Sequence, residues 1–222
     1  MGNSYQKGIA FIFEGPTEKV FYTVFLERAC SKHPGYSLEK SIDPKSGEVF
    51  YALKKGESQL LIKMNTVGAI SQITHSGAWF STSCHQKHKD LDWTAVLCYD
   101  TDEYQSSFSK FQEGDWNVLR QNLYKSKANL ILDLASSADI EDTMLLDSDN
   151  VFRFLQLPPG PVPSGGKGKS KMKKIYRMKG RGSAYHSGDK ARSLIEALDF
   201  DVITAKSPVP FQDLEAICFC LE

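Results

Sequence analysis

Three observations predict an α/β fold, a mostly parallel and doubly wound sheet followed by a C-terminal helical annex. Short continuous apolar runs recur at Gly8–Phe13 (GIAFIF), Asp92–Tyr99 (DWTAVLCY) and Ala128–Leu134 (ANLILDL). That is the pattern of strands covered on both faces. Helical periodicities alternate with these runs as far as Leu155, and such alternation implies parallel pairing with helices on either side of the sheet. Beyond a Pro/Gly-rich break, only helical patterns remain.

The elements follow in order. Gly8–Phe13 is ended by Glu14-Gly15-Pro16, after which Thr17 is the expected N-cap of a helix reaching about Arg28. Its apolar positions are Val20, Phe21, Val24, Phe25 and Ala29. Lys32 to Lys45 reads as loop. Glu48–Leu53 and Gln59–Met64 read as a hairpin around Lys55-Gly56-Glu57, and Thr66 to about Ser76 as a helix. The Asp92–Tyr99 strand ends in Asp100-Thr101-Asp102, and Trp116–Tyr124 is helical. After the Ala128–Leu134 strand, helices are expected over Asp139–Leu146 and Asn150–Leu155. Pro158–Gly166 (PPGPVPSGG) is incompatible with regular structure. Helices close the chain at Ser187–Leu198 and, after Pro208 and Pro210, at Phe211–Leu221. The domain organisation read from this is a core at 1–157, a linker and basic arm at 158–188, and a helical segment at 189–222 packing on the core.

Composition bounds the function. At 41% hydrophobic and 24% charged, the chain is ordinary for a globular protein. No apolar run approaches the roughly 20 residues that span a bilayer, so no membrane partner is expected. Met1–Lys7 lacks a basic-then-apolar signal pattern, and the five cysteines form no paired framework; both point to a reducing cytoplasm. The net charge of zero hides an uneven distribution. Eight of the 27 Lys and Arg residues lie between Lys167 and Arg181, where there is no acid, so the remaining 19 face 27 Asp and Glu. A basic arm on an acidic body suits a protein that grips phosphates in one place and gathers carboxylates in another.

In doubly wound sheets, ligands sit at the carboxyl ends of the strands, and the acids of this chain fall there. Glu14 directly follows the first strand, beside a glycine that lets the chain turn. Asp100 and Asp102 follow the second strand; alternate residues of an extended segment point the same way, so both carboxylates are expected to face one cation. After the third strand, Asp139 and Asp142 suit helix capping, with Glu141 between them facing either solvent or the site. Taken singly, each acid is explained by a turn or a helix N-terminus. Together, carboxylates at adjacent strand ends repel unless a counter-charge intervenes, and Mg²⁺, with its preference for oxygen ligands, supplies one.

The Glu14-Gly15 and Asp100-Thr101-Asp102 motifs resemble the strand-end glutamate and Asp-x-Asp of the TOPRIM domain. The resemblance spans roughly Gly8 to Leu155, with residue matching confined to those two motifs. The spelling Phe13-Glu14-Gly15-Pro16-Thr17-Glu18, followed by Phe21 and Phe25, is similar to the overcoming-lysogenization-defect nucleases and related phage-defence TOPRIM proteins. The resemblance implies a TOPRIM/Rossmann-like core and a Mg²⁺-dependent nuclease, with Mn²⁺ able to replace Mg²⁺, acting as a toxic effector of antiviral defence. It implies metal ligation by Glu14, Glu18, Asp100, Asp102 and Glu141. It further implies proton transfer by Glu14 and charge stabilisation by Lys190, a residue that is otherwise an ordinary helix-surface lysine. The insertion before the Asp-x-Asp strand departs from a minimal TOPRIM domain. The chain also lacks a Gly-x-x-x-x-Gly-Lys-Ser/Thr loop, so any energy coupling implies a regulatory or ATPase partner chain.

The basic arm is expected to be mobile and to order on DNA or RNA through Lys167, Lys169, Lys171, Lys173, Lys174, Arg177, Lys179 and Arg181, with Tyr176 available to stack on a base. Its bland alternative is a solvated loop. Cys84-His85-Gln86-Lys87-His88 has zinc-ligand residue types without a second paired group and reads as a polar loop. The final helix suits a homo-oligomer interface or the core equally. Two further readings remain open: a non-catalytic nucleic-acid or partner-binding module, and an RNA-processing ribonuclease.

Overall fold

The structure is a computed structural model that describes residues 5–68, 73–104 and 115–221. The first apolar run forms β1 (Lys7–Phe13), buried at every position but its first. Gly15 is the extended N-cap of α1 (Pro16–Lys32), with Pro16 opening the helix. Thr17 is therefore inside the helix and not its cap; its hydroxyl accepts a hydrogen bond from Gly188 N at 2.9 Å.

The expected loop at Lys32–Lys45 is corrected. Tyr36–Ile42 is a strand, β2, in antiparallel register with β3 (Val49–Lys55). Its charged and polar residues hid it, because it is an edge strand with little burial to advertise. Next come β4 (Ser58–Thr66), α2 (Ile73–Trp79) and a π-helical turn at Phe80–His85. The expected helix start between Thr66 and Ser76 falls partly outside the described residues, and Thr66 itself ends β4. β5 (Asp92–Asp100), α3 (Asp115–Lys125) and β6 (Ala128–Ser136) complete the sheet region.

The sheet order is β2-β3-β4-β1-β5-β6. β1 runs parallel to β4 and β5, β5 runs parallel to β6, and β3 is antiparallel to both neighbours. Five strands thus share one direction and β3 alone is reversed, giving a mixed, mostly parallel α/β sheet. Period-two alternation sends Ile9, Phe11 and Phe13 to one buried face and Ala10 and Ile12 to the other. The registers Phe13↔Thr66, Phe13↔Cys98 and Asp100↔Ser136 bring the carboxyl ends of β1, β4, β5 and β6 to one edge.

The remaining elements are α4 (Ile140–Met144), α5 (Ser148–Phe154), α6 (Gly168–Met178), α7 (Arg192–Glu196), α8 (Phe200–Lys206) and α9 (Phe211–Cys218). Pro158–Gly166 carries no helix or strand. The basic arm does not wait for nucleic acid to order: Gly168–Met178 is a helix whose Met172 and Ile175 are fully buried. Basic residues interrupt this segment so often that its apolar i, i+3 pair is easily overlooked. Phe200 and Phe211 pack their rings 5.1–5.7 Å from Phe25 on α1, which ties the last helices to the core around α1. No helix among the described residues is long and apolar enough to cross a membrane.

Candidate functional site

The common edge of β1, β5 and β6 holds a cavity of about 590 Å³ lined by Glu14, Glu18, Asp100, Asp102, Asp139 and Glu141, with Lys167, Lys169 and Lys173 on its rim. Each acid is placed by backbone. Glu14 N donates to Cys98 O at 2.9 Å, continuing the β1–β5 ladder by one residue, and Glu14 Oε2 accepts from Asp100 N at 3.1 Å. Glu18 lies one turn into α1 and is 5% exposed. Its carboxylate curls back over Gly15, where a Cβ would meet Glu18 Oε2 at 2.8 Å and require that carboxylate to shift.

The ends of β5 and β6 are stitched together. Thr101 N and Asp102 N donate to Ser136 O and Ala138 O, each at 2.9 Å, and Thr101 Oγ1 accepts from Ala138 N at 2.9 Å. Asp139 caps α4, Oδ1 accepting from Asp142 N at 2.9 Å, while Oδ2 accepts from Lys169 N at 3.0 Å. Asp142 accepts from Gly168 N at 2.7 Å and from Lys171 Nζ at 2.7 Å. The start of α6 is therefore docked on two carboxylates. A Cβ on Gly168 would sit 2.1 Å from Asp142 N, so only glycine permits this approach. Glu141 is held by the buried Tyr185 hydroxyl, which donates to Oε1 at 2.9 Å.

Asp100 and Asp102 do not act as a matched pair. Asp102 has φ +64°, so the backbone is no longer extended there and the alternation that would aim both side chains alike is broken. Asp102 instead turns outward and pairs with Lys167 Nζ at 2.6 Å. Asp100 Oδ1 is enclosed and has no hydrogen-bond partner among the described residues.

The crowding shows in the protonation of the acids. Burial, then the charges of Glu18, Glu14, Asp139 and Glu141, push the Asp100 carboxyl up to about 9. Burial, with Glu14 and Glu141 adding to it, raises Glu18 to about 7. Glu14, Asp139 and Glu141 are also raised, burial being the main cause in each. At neutral pH the pocket therefore holds a carboxylic acid, Asp100, among groups nearer to ionisation.

This arrangement corrects the expected Mg²⁺ or Mn²⁺ centre of Glu14, Glu18, Asp100, Asp102 and Glu141. Among the described residues, no three His, Cys, Asp or Glu side chains are grouped so that they could hold a metal ion. One intended ligand is engaged by a lysine, and the strand end that was to present two carboxylates together is bent.

No family model and no curated protein matches the chain. Solved structures found to be similar are the native futalosine hydrolase of Helicobacter pylori (13% identity, covering 98% of this chain and 100% of that one, TM-score 0.34), Helicobacter pylori MTAN (12%, 85% and 82%, TM-score 0.27) and the 5'-methylthioadenosine/S-adenosyl homocysteine nucleosidase of Campylobacter jejuni (12%, 97% and 100%, TM-score 0.29). The TOPRIM resemblance does not hold. No family model supports it, and among the described residues the metal site on which it rested is not formed. The nuclease activity and the antiviral role implied by the resemblance fall with it. At TM-scores of 0.27 to 0.34, the likeness to the named structures itself carries no argument about activity.

Of the other residues singled out from the sequence, Lys190 is exposed on the turn Gly188–Ala191, outside the pocket lining; Ser187 is the residue of that segment that reaches it. Lys174 is spent on the carbonyls of Ser164 and Gly165, and Arg177, Lys179 and Arg181 are exposed beyond the rim. Sequence reasoning missed Tyr185 and underrated Asp139. Nothing local to Tyr185 distinguishes it, whereas the Ser-Ala-Asp start of a helix after a buried strand was a usable signal for Asp139.

Proposed function

We propose that the chain is a hydrolase whose strand-end pocket works by proton transfer between carboxyl groups, breaking the glycosidic bond of a phosphate-bearing substrate of nucleotide kind. The observation that carries the reading is the convergence of six acids in one open cavity rimmed by Lys167, Lys169 and Lys173.

The sign of the pocket chooses the bond. A phosphodiester acquires negative charge in its transition state and needs cations around it. A wall of carboxyls opposes that, but it favours the positive charge that develops on a sugar carbon as a glycosidic bond breaks. Asp100, protonated at neutral pH, donates its proton to the leaving group as the bond from the sugar carbon breaks. The carboxylate of Glu14 takes a proton from the water whose oxygen bonds to that carbon, and Glu18, near 7, relays that proton from Glu14 to the Asp100 carboxylate, restoring the site for the next turnover. Lys169 and Lys173 are exposed, lie four apart on α6, and have no carboxylate partner among the described residues for a salt bridge; they hold the phosphate at the mouth, away from the reacting carbon.

Incubation with nucleosides, nucleotides and short oligonucleotides, followed by mass spectrometry of products, tests this. Release of free base, unchanged by EDTA and reduced about 10²–10⁴-fold by Asp100→Asn, is expected for loss of a general acid. An Asp100→Asn protein as active as the parent, or products of phosphodiester cleavage alone, would reject it.

A second reading, binding of DNA or RNA without hydrolysis, is favoured by the exposed basic side chains of α6 and beyond: Lys169, Lys173, Arg177, Lys179 and Arg181. Affinity for a labelled oligonucleotide that falls steeply with salt, without base release, supports that reading over the first.

A further inference from the structure

A second cavity, of about 340 Å³, opens on the opposite core face of the sheet, under the β2–β3–β4 end. It is unlike the acidic pocket. Its apolar wall is Tyr5, Ile42, Phe50 and Leu61, and Ile42 stands 63% exposed at the rim, a large cost for an edge strand with nothing against it. Leu61 and Lys63 are two apart on β4 and so face the same side, with Phe50 directly across from Lys63 in the β3–β4 register.

Lys63 is 3% exposed, and its ammonium donates to Glu48 Oε2 at 2.8 Å. An ammonium has three N–H groups, and the other two find no acceptor among the described residues. Glu48 is fully occupied, its Oε1 accepting from Trp79 Nε1 at 3.1 Å. The charged residues lining the cavity do not cancel: Lys45 and Lys63 face Asp43. Behind the lining, Glu48 pairs with Lys63, and Lys87 lies 3.7 Å from both Asp43 and Glu48. His88, at the wall, adds no negative charge; burial and the neighbouring Lys63 and Lys87 lower its pKa, keeping it neutral at pH 7. Its ring meets Tyr5 edge-on, with centroids 6.2 Å apart, so the wall on that side is aromatic.

We propose that this cavity binds a small planar aromatic anion, its ring against Tyr5, Ile42 and Phe50 and its acidic group on the spare donors of Lys63. Apolar walls with one convergent, desolvated cation are the usual composition of a small-molecule site. A neutral apolar ligand would leave the ammonium donors unmet, and a cation would meet surplus positive charge.

The test uses 1-anilinonaphthalene-8-sulfonate as the anionic probe and N-phenyl-1-naphthylamine as its uncharged counterpart, with the full chain titrated by fluorescence and calorimetry. One site per chain for the sulfonate is expected, with binding of the neutral compound at least tenfold weaker. Ile42→Glu, at an exposed position that leaves folding intact, weakens sulfonate binding at least tenfold, and Lys63→Gln does the same where circular dichroism shows it folded. Val118→Glu, at another exposed apolar position, leaves binding unchanged. Equal affinity for the two probes overturns the proposal, as does an Ile42→Glu protein that binds like the parent or sulfonate binding lost on Val118→Glu. If Lys63→Gln does not fold, the Ile42 variant and the neutral probe still decide the question.

Discussion

The two ends of the sheet treat buried charge in opposite ways. Under the β2–β3–β4 end, Lys63 is almost wholly enclosed yet matched to Glu48, which is satisfied in turn by Trp79. At the carboxyl edge of β1, β5 and β6, five acids with raised pKa values crowd together, and one oxygen of Asp100 has no partner among the described residues. A matched pair offsets part of its desolvation, and removing one partner leaves the other charge buried and uncompensated. Unmatched like charges cost stability, and a chain retains them where they do chemistry. The difference separates a buried cation held by a carboxylate partner from acids left unmatched, within a single sheet.

The largest effect expected is on the matched side. Lys63→Met leaves Glu48 partly buried without its cation, and a loss of about 3–5 kcal/mol in urea unfolding follows. Adding Glu48→Gln to that variant restores part of the loss. If Lys63→Met unfolds at the parent's urea concentration, the pair is not holding the fold and the contrast disappears.

On the unmatched side the sign reverses. Asp100 ordinarily titrates near 3.8 and in the folded chain near 9. Below the unfolded value, both states hold the proton and stability is at its fullest from this group. As pH rises towards 9, the unfolded chain ionises while the native one does not, so stability falls; Glu18 adds to the fall between about 4.5 and 7. Asp100→Asn removes most of this slope and is expected to be more stable than the parent at pH 8, by about 2–4 kcal/mol relative to the difference at pH 5. Parallel pH-dependent unfolding curves for the two proteins would show that Asp100 is not held protonated. Tyr185→Phe is a smaller step in the same region. It strips the buried donor from Glu141, costing about 1–3 kcal/mol, and shifts the Glu141 pKa, followed by NMR, further upward.

Much of this contrast was legible in the sequence, but unevenly. The strands β1 and β5 announce themselves because both their faces are apolar, and β6, though an edge strand and only partly buried, carries an apolar run as well; the acids at their ends are read directly as strand-end groups. β2 was invisible because an edge strand needs no such pattern: only Tyr36 and Leu38 pack partly buried against the core, and Ile42 stands exposed at its end. The convergence of Glu14, Glu18, Asp100 and Glu141 on one cavity followed from parallel topology. What those acids do together did not, since it turns on a single backbone angle at Asp102 that spacing cannot encode. Lys63 offered no signal at all: a lysine in an apolar strand reads as a surface residue until its partner, 15 residues away on β3's approach, is known.

The smallest expected effect bears on whether Asp102 belongs with the unmatched acids or has left them. Its pair with Lys167 is short but open to water, the two side chains being 57% and 44% exposed, so screening and side-chain entropy take back most of the attraction. Lys167→Met is accordingly expected to change stability by no more than about 1 kcal/mol, and by less at high salt. Its effect on the pocket is more telling, because Lys167 is also one of the charges that hold the Glu14 pKa down. In the variant, Glu14 titrates higher, and the acidic limb of a pH–rate profile for base release moves up while the unfolding curve stays in place. A large loss of stability with no movement of that limb would place Asp102 and Lys167 on the structural side of the comparison, with the matched pair at the other end of the sheet.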